Sequence, residues 1–277
     1  MFERFSRSWA LAKASAGVLR SDKELLLFPV ISSIAVLLVV ATFAIPVIGL
    51  RVFENGEMGP LGFVLGFVFY VCQYFVIFFF NTALVGAAMI RLQGGDPTVA
   101  DGLNIAKSKI VPILGYAAIA ATVGIILKAI EERAGFVGRI IIGLLGTAWT
   151  IATAMVVPVL VAQDVGPIDA VKESISLLKK TWGENIIGNA GIGLAFGLVS
   201  FLVIIVGVVL GVAAFSIEPW LGLTVAVLAV IALLIVGVLQ AALSGIYSAA
   251  LYRYAMDGQA PAGFEGGALQ LAFKPKG

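Results

Sequence analysis

Hydrophobic and polar positions in this chain fall in long blocks rather than alternating residue by residue. Six runs contain no Asp, Glu, Lys or Arg: Leu25–Leu50, Met58–Ile90, Ile110–Leu127, Ile140–Gln163, Asn185–Ile217 and Pro219–Tyr252. Each reaches the roughly 18 residues expected of a membrane-crossing helix. The third is the shortest, and its flanking residues complete it. The longest exceed about 30 Å of hydrocarbon, so they tilt, bend or extend past it. Their apolarity is continuous, whereas a membrane β-barrel needs period-two alternation. Leu25–Leu50 is longer than the roughly 7–15 apolar residues of a signal peptide, and no A-x-A site follows it, so it reads as a retained first helix.

Between the runs a polar pattern recurs. GGDPTVADGLNIAKSK (Gly94–Lys109), VGPIDAVKESISLLKKTW (Val165–Trp182) and DGQAPAGFEGGALQLAFK (from Asp257) all follow an even-numbered run and align on Pro97, Pro167 and Pro261. Pro suits a first helical turn, where its missing N–H costs nothing, and Asp96 before Pro97 has the chemistry of an N-cap. Ile168, Val171, Ile175, Leu178 and Trp182 step by three and four along one helix face, with Asp169, Lys172, Glu173, Ser176 and Lys179 on the other side. Val99, Leu103, Ala106 and Ile110 form a narrower stripe. Phe2, Phe5, Trp9, Ala12, Ala16 and Leu19 form another before the first run. The predicted fold is therefore all-α: one membrane domain, 1–277, with six transmembrane helices. It divides into three repeats of amphipathic helix plus transmembrane hairpin (1–95, 96–165, 166–256), and 257–277 forms a C-terminal tail with a degenerate Gly-rich fourth helix.

Composition supports a membrane setting. Of 277 residues, 61% are hydrophobic and 12% charged, and the mean hydropathy is +1.08. A soluble domain carries about 25% charged residues, so too little charge is present to cover a wet surface. Charge also orients the chain. Fourteen of eighteen Lys and Arg residues lie on one side: Arg4, Arg7, Lys13, Arg20, Lys23, Arg91, Lys107, Lys109, Lys172, Lys179, Lys180, Arg253, Lys274 and Lys276. Arg51, Lys128, Arg133 and Arg139 lie on the other. The positive-inside rule then puts both termini in the cytoplasm. Basic amphipathic helices there lie in the headgroup plane. The candidates for touching lipid headgroups are Arg4, Arg7, Trp9, Lys13, Lys107, Lys109, Lys172, Lys179, Lys180 and Trp182. The bland alternative is that these helices only connect spans.

The spans contain no ionisable group at mid-depth of the kind a proton-coupled transporter uses. Lys128 is nearest and can snorkel outward. Gln73, Asn81, Asn189 and Gln240 are the intramembrane polar candidates, with Thr82 and Ser244 beside them. They either hydrogen-bond across helices or line a cavity. Gly62-x-x-x-Gly66, Gly193-x-x-x-Gly197 and Gly207-x-x-x-Gly211 predict close helix approach, and leave room for a homo-oligomer. Pro29, Pro46, Pro112 and Pro158 predict bends or freed carbonyls, which can host a substrate. The aromatic run Tyr70–Phe80 reads as packing or lipid contact. There is no His, one Cys (Cys72), no G-x-S-x-G and no P-loop. No catalytic residue, metal site or cofactor is predicted, and no enzyme. The small net charge of +2 points away from nucleic acid.

FNTALVGAAMIRLQGGDPTVADGL (Phe80–Leu103), ATVGIILKAIEERAG (Ala121–Gly135) and VPVLVAQDVGPIDAVKESISLLKKTWGENIIGN (Val157–Asn189) resemble a family of uncharacterised six-span membrane proteins of bacteria and archaea, known only as a domain of unknown function. The alternation of amphipathic elbows and paired spans is also loosely similar to the membrane domain joined to some bacterial glycerophosphodiesterases. The first resemblance implies the cytoplasmic (inner) membrane of a prokaryote; neither implies an activity. The expected role is that of a non-enzymatic membrane organiser, scaffold or lipid handler with membrane lipids as partners. The alternative is a channel or transporter of an uncharged or lipid-like solute.

Overall fold

The computed structural model describes the backbone of residues 2–49, 53–54, 57–58, 60–180, 182–261 and 263–264, and the side chains of 10–46, 61–179, 192–261 and 263–264. The chain opens with α1 (Phe2–Ser21), a 3₁₀ turn (Lys23–Leu26) and α2 (Leu27–Gly49). A two-residue ladder, β1 (Phe53–Glu54) with β2 (Glu57–Met58), leads to α3 (Pro60–Leu92). Then come α4 (Val99–Ser108), α5 (Ile110–Arg133), α6 (Phe136–Ala152) and α7 (Val156–Ala162). The last three are α8 (Pro167–Lys180), α9 (Trp182–Ile217) and α10 (Pro219–Asp257).

Six stretches are long and apolar enough to cross a membrane: Lys23–Pro46, Leu61–Leu92, Ile110–Arg133, Phe136–Ala162, Ile192–Ile217 and Pro219–Asp257. The third apolar run is extended by Lys128–Arg133, which continue α5. Span four is not one helix but two, α6 and α7, joined by a turn at Thr153–Met155.

Burial is uneven along the long helices. Ala83–Met89 of α3, Val156–Leu160 of α7 and Ala249–Tyr252 of α10 are buried in one core with Leu11, Val18, Leu25 and Phe28. Toward the other end Ile45, Phe63, Leu144, Val212 and Leu228 are more than half exposed. The core therefore sits where the short helices gather. α9 packs most extensively on α10; of the shorter helices, α4 lies on α3, α8 on α7 and more lightly on α5, and α1 on α9 and α10. α3 is the hub, touching α2, α4, α5, α7 and α10. Its aromatic residues form a ladder: Tyr70, Tyr74 and Phe78 stack at four-residue spacing, and Phe78 meets Tyr116 of α5 with centroids 4.5 Å apart. After α10, Gly258 takes a left-handed φ of +69° that ends the helix. Phe264 is buried in the core that holds Val18. Residues 258–261 and 263–264 are not helical, and 265–277, which hold most of the expected fourth helix, lie outside the described residues.

Several local expectations are corrected. α4 begins at Val99, not Pro97. Its N-cap is Thr98, whose side chain accepts from the Asp101 N–H while Asp101 accepts from the Thr98 N–H. This capping box leaves Asp96 free to pair with Arg91 at 3.1 Å. Hydrogen bonds from Thr98 hold the Asp101 carboxyl below the ordinary carboxylate range. In α1 the buried line is Leu11, Ser15 and Val18, continued by Asp22 just past its end, one residue away from the expected Ala12–Ala16–Leu19 stripe. In α8 it is Ala170, Ser174, Leu177 and Leu178, while Ile168 is 61% exposed. Of the Gly-x-x-x-Gly positions, Gly207 lies against Ala229 of α10, but a Cβ at Gly66, Gly193, Gly197 or Gly211 would meet nothing within 4 Å.

A closer approach comes from a glycine outside those motifs. A Cβ at Gly102 would sit 2.5 Å from Cζ of Phe28 and 2.7 Å from the Ala83 carbonyl oxygen. α4 thus lies directly on the backbone of α3, which cannot yield as a side-chain tip can. Gly102→Leu is expected to cost at least the roughly 1–3 kcal/mol of ordinary overpacking. It should lower the apparent Tm and erode the monodisperse peak in size-exclusion chromatography. Gly66→Leu, entering open space, should leave both unchanged.

Candidate functional site

The break in span four has a plain cause. Pro158 has no N–H to give the Ala154 carbonyl, and its ring crowds that carbonyl. The preceding turn tightens: the Ala154 N–H donates to Ile151 O at 3.1 Å and the Val156 N–H to Thr153 O at 3.1 Å. That strands two groups, the Ala152 carbonyl and the Met155 N–H. Both are met by one side chain of α8. Ser174 Oγ donates to Ala152 O at 2.7 Å and accepts from Met155 N at 3.1 Å. Ser174 is completely buried and Met155 nearly so. The middle of α8 is thereby fixed to the kink.

Beside the kink lies a cavity of about 840 Å³ between α2, α3, α6 and α10. α6 packs chiefly on α5 and α8, and leaves a gap toward α2 and α10. Thr150, Ile151 and Ala154, at the kink, form part of the wall. Leu37, Ile77 and Leu234 also line it and are 55%, 37% and 44% exposed, so the cavity opens sideways to the outside of the bundle. Its polar groups are all uncharged: Ser32 and Ser33 on α2, Asn81 on α3, Thr147 and Thr150 on α6, Ser244 and Ser248 on α10. Three helices carry four of them at one level. Ser32 and Ser33 stand nine and ten residues after Lys23, Asn81 ten before Arg91, and Ser244 nine before Arg253. At about 1.5 Å per residue, each is about 15 Å from a basic helix end.

Four of these hydroxyls donate to carbonyls of their own helices: Ser33 to Pro29, Thr147 to Gly143, Thr150 to Gly146 and Ser248 to Gly245, at 2.8–3.0 Å. Their oxygens keep lone pairs free to accept. Ser32, Asn81 and Ser244 make no side-chain hydrogen bond among the described residues.

Of the polar residues expected inside the spans, Asn81 lines the cavity. Gln73 and Gln240 do not, and Gln73 Oε1 is buried with no partner among the described residues. Asn189 lies outside the described side chains. Ser32, Ser33, Thr147, Thr150 and Ser248 are site residues that sequence pattern alone does not single out, although the spacing of Ser32 and Ser33 from Lys23 is readable in the sequence.

Of the surface candidates, Lys13, Lys107, Lys172 and Lys179 are exposed. Lys172 pairs with Asp169 at 2.8 Å. Lys109 is instead tied inward, donating to the Gln163 carbonyl at 2.9 Å and to Asp164 at 3.2 Å. The side chains of Arg4, Arg7, Trp9, Lys180 and Trp182 lie outside the described residues. Arg91 gathers two elbows: it reaches Asp96, the Gly95 carbonyl and the Ser21 carbonyl. Glu24 accepts from the Val99 N–H at 3.0 Å across the same junction. Asp22 beside them is 6% exposed, and its burial raises the carboxyl above the ordinary range despite the Glu24 N–H and Arg91.

The fold and cavity define an all-α chain with six helical stretches apolar enough to cross a membrane and an uncharged, hydroxyl-lined cavity among them. The chain belongs to a family of unknown function, DUF6159, whose model matches residues 60–264. No curated protein and no solved structure matches it.

Ser174→Ala tests the kink. It strands a buried carbonyl and a buried N–H, each at about 1–3 kcal/mol. The apparent Tm should fall by several degrees, while Lys172→Ala on the exposed side should leave it unchanged.

Proposed function

We propose that this is an integral protein of a prokaryotic cytoplasmic membrane, with both ends of the chain at the cytoplasmic face, that handles lipid without catalysing a reaction on it. It draws an uncharged or lipid-like solute sideways from the bilayer into the cavity. The observation that carries this reading is the cavity: it opens through apolar side chains that would face acyl chains, and it has hydrogen-bonding groups but no charge. None of its lining residues is a base near neutral pH, which favours binding over catalysis. Exposed Lys13, Lys107, Lys172 and Lys179 suit short helices lying along an anionic leaflet, at about 1 kcal/mol each. The succession of one short and two long elements, three times, supports three related units.

A second reading, passage of the solute across the membrane, draws on one observation. The wall of the cavity includes a broken span, and broken spans host substrates in transporters.

Gly237→Phe probes the cavity without disturbing its frame, since a Cβ there meets nothing within 4 Å. The wild-type protein should carry lipid through purification in native mass spectrometry, and the variant should lose it while keeping its Tm. Equal lipid occupancy in both would sink the proposal.

Orientation is checked in a Cys72→Ala background. A cysteine at Lys172 should react with a membrane-impermeant maleimide only after the cells are opened, and one at Lys128 in intact cells. The reverse pattern would invert the topology.

A further inference from the structure

We infer that the ligand of this cavity is a neutral lipid alcohol: a long hydrocarbon whose only polar part is a hydroxyl group, held at the level of Asn81. This rests on the lipid-handling reading above and names its ligand. Three observations converge on it.

The first is charge. A phosphate or carboxylate entering would find no cation among the lining residues and would lie buried and unpaired. The second is depth. Ser32, Ser33, Asn81 and Ser244 stand nine or ten residues, about 15 Å along the helices, from the basic ends and inside the apolar spans. A zwitterionic headgroup stays at the interface, whereas a single hydroxyl can follow its chain below it if it finds partners there. The third is hydrogen-bond polarity. Ser33, Thr147, Thr150 and Ser248 turn their protons to their own helices and offer lone pairs to the cavity. Ser32, Ser244 and the Asn81 amide, also in the lining, can donate as well as accept. A hydroxyl, which donates and accepts at once, answers both sets, whereas a ketone, quinone or ester only accepts and leaves the four accepting oxygens without a proton. Leu37, Ile77 and Leu234, exposed at the opening, line the way out for the tail.

The test uses the full chain in phosphatidylcholine nanodiscs and a diazirine-bearing hexadecanol as photoprobe. Labelling should fall on α3 and α10 peptides containing Asn81 and Ser244. Unlabelled hexadecanol should compete about 3- to 30-fold better than its methyl ether, hexadecane or hexadecyl phosphate, the ratio expected for one or two intramembrane hydrogen bonds. Asn81→Leu should lower labelling by a similar factor, and Lys107→Ala should not. Ser244→Ala, which removes one hydroxyl, provides a milder variant that should shift competition in the same direction if Asn81→Leu fails to fold.

If hexadecane or the methyl ether competes as well as the alcohol on the same peptides, the cavity takes hydrocarbon whatever its head. The alcohol inference then fails while the lipid-handling reading stands. Preferred competition by hexadecyl phosphate overturns the inference in favour of an anion. If no probe labels the cavity and the wild-type protein carries no lipid, both fall together.

Discussion

The arrangement turns on two hydrogen bonds made by one serine. A helix cannot break away from water without stranding backbone groups, and Pro158 breaks span four where Met155 and its neighbours are buried. Ser174 answers both orphans because a hydroxyl donates and accepts at once. Ala could do neither. The consequence reaches further than the kink. Because Ser174 belongs to α8, the break can exist only with α8 lying against α7, and the wall that α6 offers to the cavity takes its direction from that break.

The same logic explains why α1 and α8 turn a different face inward than their most apolar line. Each packs on more than one helix, α1 on α9 and α10 and α8 on α7 and α5. In α8 the protein side takes Ala170, Ser174, Leu177 and Leu178, which are small or shaped to fit between α5 and α7, while Ile168 points away. On the proposed reading, Ile168 meets acyl chains. Apolarity alone cannot separate these faces, since bilayer and protein core both accept a hydrocarbon side chain. What separates them is size and hydrogen-bonding demand: the buried lines of α1 and α8 each contain a serine that an interior of pure hydrocarbon would not call for.

Much of the architecture was legible in the sequence because it follows from length and charge. The six apolar runs coincide with the six long elements to within a few residues at most ends, and Pro167 starts α8 as its position implies. Other features depend on where distant segments meet. Thr98 and Asp101 form a capping box that is visible in the letters TVAD, yet Pro97 and Asp96 offered a rival start, and only the Arg91–Asp96 pair decides between them. Pro158 announces a bend, but nothing near it announces Ser174, 16 residues on and in another helix. The hydroxyls of the cavity are harder still. A serine in an apolar helix can bond its own carbonyl and mean nothing beyond that, as four of these do. Only their common level, and the gap left by α6, turns them into a lining.

That lining also gives the basic helix ends a second meaning. Lys23, in the turn before α2, and Arg91 and Arg253, near the ends of α3 and α10, flank the three helices on which Ser32, Ser33, Asn81 and Ser244 share a level in the cavity. On the proposed topology their charges sit at the anionic headgroups and fix how deep each helix lies. Depth then becomes a property of side-chain chemistry rather than of helix length, which exceeds the membrane in α10. Polar groups set about 15 Å along the helices from three anchored ends keep their depth even as the outer ends tilt or overrun. The outer halves are accordingly free to be loosely packed and apolar, as they are, because nothing in the cavity is registered against them.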